Sequence, residues 1–276
     1  MKRRSRFLFA WICILAVCGV LNAEPTVDGI PLHFSVHGKG PQTIILVHGW
    51  TCDETTWEAQ VAPLSKGYRV VTLDLPGHGK SGSPKDGTFS MDLFARAVEA
   101  IRSEVKADRV IVAGHSMGTP VVIQYARLYP QHTAALIFVD GLVFPPSNLP
   151  PVNPQQFAGP EGRKARENMV RGMFSSSTTP AMQTHILSMM LGAPEATALG
   201  AMKATFDGSN WKDDVTNLPV LGIYADHSRL GDRDYMKTHY PKLQYVEIPN
   251  TGHFLMMEKP DEFNQLVSDF LKKQSF

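Results

Sequence analysis

Cysteine is scarce in this chain: Cys13, Cys18 and Cys52 are all that its 276 residues contain. That excludes a disulfide framework. Neither sign of charge is in excess, with 27 basic residues against 26 acidic, so nothing draws the whole molecule to nucleic acid. Signs of a bound metal are also missing. No His-Glu-x-x-His occurs, and His33 and His37, four apart in a strand-like stretch, do not face one ion as they would on a helix. Gly38-Lys39-Gly40-Pro41 reads as a turn rather than a phosphate loop, and no internal repeat is present. What is there is a composition 43% hydrophobic and 19% charged, with 22 Gly and 20 Pro. Such a chain folds and buries a substantial core as one large α/β domain or two smaller ones.

The first residues stand apart. Lys2, Arg3, Arg4 and Arg6 precede an apolar run from Phe7 to Leu21, and the first acidic residue is Glu24, just after Ala23. Basic end, apolar core and small residue are the order of a secretory signal, and the run is short of the roughly 20 residues that span a bilayer. Residues 1–23 are therefore expected to be cleaved, giving a secreted or periplasmic protein with no membrane span in its mature form. The alternatives are an uncleaved anchor or lipidation at Cys18, where Leu15-Ala16-Val17 resembles a lipoprotein box but has Val in place of a small residue. Cleavage removes four basic and no acidic residues, so the remainder is mildly acidic, and Cys52 is left alone.

Beyond the leader come short, continuous apolar runs: Thr43–Val47, Val70–Leu73, Val110–Ala113, Ala135–Val139 and Val220–Tyr224. Continuous rather than alternating apolar residues suit parallel strands covered on both faces, and helix-compatible segments separate them. The expected class is α/β, a mostly parallel, doubly wound sheet. Leu32–Val36 and Leu243–Ile248 extend it, the first as an antiparallel strand near an edge. A helix is expected after Met117, closed by Pro130, and another from Pro260, with Asp261 and Glu262 at its positive end and Lys272 and Lys273 at the other. Between Gly141 and Trp211 the strand pattern stops. Pro145, Pro146, Pro150, Pro151, Pro154 and Pro160 punctuate it, before several helix-like stretches. This is read as an inserted helical lid at 141–211, dividing a core of 24–140 and 212–276. Six of the 12 Met lie in it, at 169, 173, 182, 189, 190 and 202. They either line an adaptable apolar pocket or pack the lid's own core.

The sharpest signal is Gly114-His115-Ser116-Met117-Gly118, placed after one apolar strand and before a helix. Glycines two positions either side of a serine permit a very tight strand-to-helix turn that exposes its hydroxyl. Such a hydroxyl needs a histidine to take its proton and an acid to orient that histidine. His253, in Asn250-Thr251-Gly252-His253-Phe254, comes after the last strand. Asp226 ends the strand before it. Both sit at the sheet edge where ligands gather in open α/β folds. Asp140 also ends a strand, but it begins the insertion, and Asp226 is the preferred acid.

With Val47-His48-Gly49-Trp50, Asp74-Leu75-Pro76-Gly77-His78-Gly79-Lys80-Ser81 and Met257-Glu258-Lys259-Pro260, these residues resemble the α/β-hydrolase fold family, in particular its lidded esterase-like group. The resemblance covers most of the chain after the leader. It implies an α/β-hydrolase fold, a catalytic Ser116, Asp226 and His253, and an oxyanion hole made by the backbone N–H groups of Trp50 and Met117. It also implies that Asp74 braces the Pro76–Gly77 loop, that His48, His78 and His115 brace rather than transfer protons, and that a site without a triple glycine disfavours esters of tertiary alcohols. No cofactor or metal is called for.

The expected activity is a serine hydrolase cleaving small or medium carboxylic esters, with lactones included. C–C bond hydrolysis, amide hydrolysis and cofactor-free haloperoxidase or perhydrolase chemistry use the same triad. The non-enzyme alternative is a ligand-binding member of the fold. Ser116 argues against the Asp- and Cys-nucleophile branches. Cys52, behind the oxyanion loop, is either a reactive thiol or a buried bystander. The oligomeric state is left open.

Overall fold

The computed structural model describes residues 24–143 and 152–274. The expected leader at 1–23, with Cys13 and Cys18, and Pro145, Pro146, Pro150 and Pro151 of the expected lid lie outside the described residues.

The apolar runs become strands of one sheet. They are β3 (Phe34–His37), β4 (Thr43–Val47), β5 (Arg69–Leu73), β6 (Val110–His115), β7 (Thr133–Val139), β8 (Val220–Ala225) and β9 (Leu243–Ile248), after a small hairpin of β1 (Thr26–Val27) and β2 (Ile30–Pro31). The order across the sheet is β3-β5-β4-β6-β7-β8-β9. Only β3 is antiparallel, pairing Phe34 with Leu73 at one edge, whereas the other neighbours run parallel. Every residue of β4, β6, β7 and β8 is buried, because helices cover both faces. Fully burying one such Val, Leu or Ile is worth about 1.5–3 kcal/mol.

The helices begin and end where the chain's chemistry dictates. Ser90 caps α2 (Met91–Glu104), its hydroxyl accepting from the Leu93 N–H at 3.1 Å. The α3 helix (Gly118–Leu128) starts at the elbow and stops before Pro130. The last helix, α9 (Pro260–Lys273), buries Phe263, Val267, Phe270 and Leu271. It docks on α1 (Glu58–Leu64), where Asn264 Nδ2 donates to the Ala59 carbonyl. A short α7 (Arg233–His239) and α8 (Leu255–Glu258) flank β9.

Between β7 and β8 come α4 (Gly159–Arg171), α5 (Pro180–Gly192) and α6 (Glu195–Thr205), with no strand among the described residues of this stretch. They sit across the end of the sheet where β4 and β6 finish. Trp50 Nε1 donates to the Ala198 carbonyl at 2.8 Å, and Thr197 Oγ1 donates to the Gly77 carbonyl at 2.8 Å. Among the described residues, no helix is long and apolar enough to cross a membrane.

Candidate active site

The elbow's composition reflects its crowding. A side-chain carbon on Gly114 would lie 2.1 Å from the Gly118 carbonyl oxygen, and one on Gly118 would lie 2.4 Å from that of Val47. Ser116 itself has φ 54°, in the left-handed region that an L-residue rarely adopts. Its N–H donates to the Val139 carbonyl at 3.0 Å, which ties the elbow to the end of the neighbouring strand. Strain held by such a tether is frequent where a reactive group must be presented.

The residue after Val139 is Asp140, and here the structure departs from the sequence reading. Asp140, also left-handed at φ 42°, is buried, and its Oδ2 accepts from His253 Nδ1 at 2.6 Å. Its Oδ1 accepts from the Ala225 N–H at 3.1 Å. Tyr224, fully buried, donates its hydroxyl to the Gly141 carbonyl and pins the chain just beyond. The expected acid, Asp226, does not reach His253. Its carboxylate accepts from the Thr251 N–H at 3.2 Å, lies 3.9 Å from His227 Nε2, and is 27% exposed. The Asn250 N–H, with help from that of Thr251, holds it below the usual aspartate value against the opposing effect of burial. The correction has a topological cause. Asp140 ends β7, directly beside the strand that carries Ser116, whereas Asp226 ends β8, one strand farther away. The sequence signal for this lay just beyond each aspartate: Gly141-Leu142-Val143 after Asp140 is apolar, whereas His227-Ser228-Arg229 after Asp226 is polar.

His253 is largely buried and held at three atoms. Besides Nδ1, its N–H donates to the Met173 carbonyl at 3.1 Å, and its own carbonyl accepts from His115 Nε2 at 2.8 Å. With Nδ1–H given to Asp140, Nε2 of the neutral ring is the acceptor. His115, its ring 4.7 Å from that of His253, is held well below the usual histidine value by burial, with the neighbouring His253 adding to the effect. It stays neutral. His48 is likewise lowered by burial, donating from Nδ1 to the Gly49 carbonyl and accepting from the Leu75 N–H at Nε2. Asp74 braces its loop as expected, accepting from the Glu54 and Lys80 N–H groups at 2.7 and 2.8 Å.

Ser116, Asp140 and His253 line a cavity of about 380 Å³. Trp50 and Met117 also line it, and among the described residues neither backbone N–H is given to a backbone carbonyl in the surrounding turns and caps. Of the six methionines in 141–211, Met169, Met173, Met190 and Met202 form part of the cavity wall, while Met182 and Met189 do not. Cys52 touches the cavity, but burial pushes its thiol up to about 12, so it is protonated and a poor nucleophile. His33, Glu54 and Asp74 bring ligand atoms within 4.8 Å of one another. Lys80 Nζ, 3.3 Å from both His33 and Glu54, already supplies a cation there.

Comparisons with known proteins agree with this architecture. The model of the alpha/beta hydrolase family matches residues 44–266. The chain is 28% identical over 261 residues to a dihydrolipoyllysine-residue acetyltransferase component of an acetoin cleaving system from Cupriavidus necator, covering 89% of this chain but only 67% of that one. It is 26% identical over 260 residues to a 2-hydroxy-6-oxononadienedioate/2-hydroxy-6-oxononatrienedioate hydrolase from Cupriavidus pinatubonensis, covering 87% of this chain and 90% of the relative. A thermophilic esterase from Thermogutta terrifontis superimposes with a TM-score of 0.77 at 25% identity, covering 91% of this chain and 97% of that one. With the family's model matched over most of its length and the sheet, elbow and histidine loop in place, the chain belongs to the alpha/beta hydrolase family.

Proposed function

We propose that the chain is a serine hydrolase of small or medium carboxylic esters, lactones included. The observation that carries this reading is the 2.6 Å contact between His253 and Asp140 in the cavity onto which the strained Ser116 opens. In this reading Ser116 Oγ attacks the ester carbonyl carbon and its proton passes to His253 Nε2. Asp140 holds the imidazole and balances the charge it gains. The carbonyl oxygen becomes an oxyanion, stabilised by the N–H groups of Trp50 and Met117. Its collapse breaks the carbon–oxygen bond, and the alcohol leaves with the proton from His253. Water, deprotonated by the same nitrogen, then hydrolyses the acyl-serine. No cofactor enters any step.

The test is turnover of p-nitrophenyl acetate by purified protein and by Ser116→Ala. Activity is expected in the first and its loss in the second, and retained activity in the variant would overturn the mechanism. A tert-butyl ester is expected to be a poor substrate beside its primary-alkyl counterpart, since the His48-Gly49-Trp50 loop lacks the triple glycine.

C–C bond hydrolysis is the second reading, favoured by the relative named as a hydrolase of 2-hydroxy-6-oxo dienedioates. Running a vinylogous β-diketone beside the ester panel separates the two. The basic and apolar residues before Glu24 support export. Expression in a Gram-negative host and N-terminal sequencing of the product are expected to give a periplasmic protein beginning at Glu24, whereas an intact Met1 would refute cleavage.

A further inference from the structure

Among the described residues Glu258 forms no ion pair, its neighbour Lys259 turning instead to Glu262 and the Pro249 carbonyl, yet it is the most heavily used carboxylate near His253. Its Oε2 accepts from the Gly252 N–H at 2.6 Å and from Ser175 Oγ at 2.9 Å, and its Oε1 accepts from Thr178 Oγ1 at 2.5 Å. Gly252 belongs to the histidine loop. Ser175 and Thr178 belong to the turn between α4 and α5 of the inserted helices. Both hydroxyls are committed in advance: Thr178 Oγ1 accepts from the Ser175 N–H, and Ser175 Oγ accepts from the Ser177 N–H. Each has one proton left to give, and both give it to Glu258. Three converging donors require a group that only accepts, which an ionised carboxylate is and an amide is not.

Two more bonds join the same segments. The His253 N–H donates to the Met173 carbonyl, and Ser177 Oγ donates to the Asn250 carbonyl at 2.7 Å. The segments meet closely because residue 252 is glycine: a side-chain carbon there would lie 2.6 Å from the Met173 carbonyl oxygen. Met173 is also a wall of the cavity. The cavity wall and the backbone of the histidine are thus one hydrogen-bonded unit, with Glu258 at its centre.

We propose that Glu258 is a positioning residue for His253, fastening the histidine loop to the turn at 175–178 so that the imidazole is in register with Ser116 only when the inserted helices are docked. The inference rests on the reading of His253 as the general base. Displacing a reacting group by about 1 Å can cost about 100-fold in rate, which sets the scale of the effect.

The experiment compares Glu258→Gln, Thr178→Val and Thr178→Ser in the mature protein. It tracks the rate of labelling by a fluorophosphonate, kcat and KM for p-nitrophenyl butyrate, and the downfield proton resonance of the His253–Asp140 bond. Glu258→Gln keeps the shape but offers an NH2 group to at least one donor, and Thr178→Val keeps the volume without the hydroxyl. Each is expected to lower the labelling rate and kcat about 10- to 100-fold, to leave KM within a few-fold and to shift or broaden the resonance. Thr178→Ser is expected to restore most of what Thr178→Val removes, and the double variant Glu258→Gln with Thr178→Val to be little worse than either single one. Folded variants with unchanged kcat and resonance would overturn the proposal. If Glu258→Gln does not fold, the Thr178 pair decides it alone. Wild-type protein that resists labelling would instead overturn the general-base reading beneath it.

Discussion

His253 Nδ1 and Asp140 Oδ2 lie 2.6 Å apart, both groups withdrawn from water, their side chains 10% and 4% exposed. Asp226 occupies the equivalent end of the next strand and is spent on the Thr251 N–H instead. Two carboxylates at one sheet edge therefore have separable tasks. Asp140→Asn, which keeps size but cannot enforce the same ring tautomer, is expected to lower kcat by about 10⁴-fold. Asp226→Asn is expected to stay within a few-fold of wild type. Steady-state kinetics on one p-nitrophenyl ester decide it, and a larger loss in Asp226→Asn would reverse the assignment.

Much of this is legible in the sequence, for physical reasons. The strand at Thr43–Val47 begins and ends where the apolar run does, because a parallel strand covered on both faces buries every side chain, whereas Leu243–Ile248, at the sheet edge, is only half-buried and carries Gln244 and an exposed Glu247. Ser116 and His253 are legible because a tight turn demands glycines and the sheet order fixes which strand ends meet. Choosing between Asp140 and Asp226 turns on which strand lies beside the elbow and which way a left-handed φ at residue 140 swings its side chain; the local pattern bears on it only indirectly, through the apolar Gly141-Leu142-Val143 that follows Asp140 and the polar His227-Ser228-Arg229 that follows Asp226. The methionines are ambiguous for a related reason. Helical spacing shows that Met182 and Met190 sit on α5, but only the packing of that helix puts Met190 on the cavity and leaves Met182 off it.

The elbow trades stability for exposure of the Ser116 hydroxyl. A left-handed φ costs an L-residue about 1–2 kcal/mol, and glycine avoids that while losing about 0.5–1 kcal/mol through its freer unfolded chain. Ser116→Gly and Ser116→Ala both lack the hydroxyl and are expected to be inactive. The glycine variant is expected to be the more stable of the two by up to about 1 kcal/mol. Urea midpoints of the pair measure the difference, and a less stable glycine variant would mean that residue 116 carries no backbone strain.

Acid is expected to destabilise the fold well before the surface carboxylates titrate. His48 and His115 are lowered by burial, and His78 is brought down to about 3 by burial and then by the neighbouring His48. In the unfolded chain all three titrate near 6.5. Above that pH neither state is charged and the rings contribute nothing to the pH dependence. Below it the unfolded chain binds protons that the folded one refuses, so stability falls with decreasing pH, by about 1.4 kcal/mol per pH unit for each ring fully engaged. Glu54 acts in the same direction at lower pH. Burial would raise it, but hydrogen bonds from Ser35, His33 and Thr72 hold it at about 2. Its contribution is lost as the pH falls from its unfolded value toward 2. Urea midpoints at pH 7.5, 6, 5 and 4 are expected to decline from about pH 6.5 downward. A flat profile to pH 5 would show that the buried rings titrate normally.

If the chain cleaves esters as proposed, the cavity wall sets which acyl group fits. Met190 comes from the C-terminal half of α5 and is 3% exposed, so its side chain fills space that would otherwise belong to the substrate. It makes none of the hydrogen bonds that hold the histidine loop, and shortening it alters room without moving the chemistry. One methylene in such a pocket is worth about 1–3 kcal/mol of discrimination, or roughly 10- to 200-fold in kcat/KM. Met190→Ala is therefore expected to move the preferred p-nitrophenyl ester to a longer acyl chain, raising kcat/KM for the longer ester and lowering it for acetate. The rate of Ser116 labelling by a small fluorophosphonate is expected to stay within a few-fold, because Ser116, His253 and Asp140 are untouched. If chain-length preference is unchanged while labelling is intact, the acyl group lies elsewhere in the cavity, and the wall formed by Leu142, Leu230 and Phe254 becomes the acyl side.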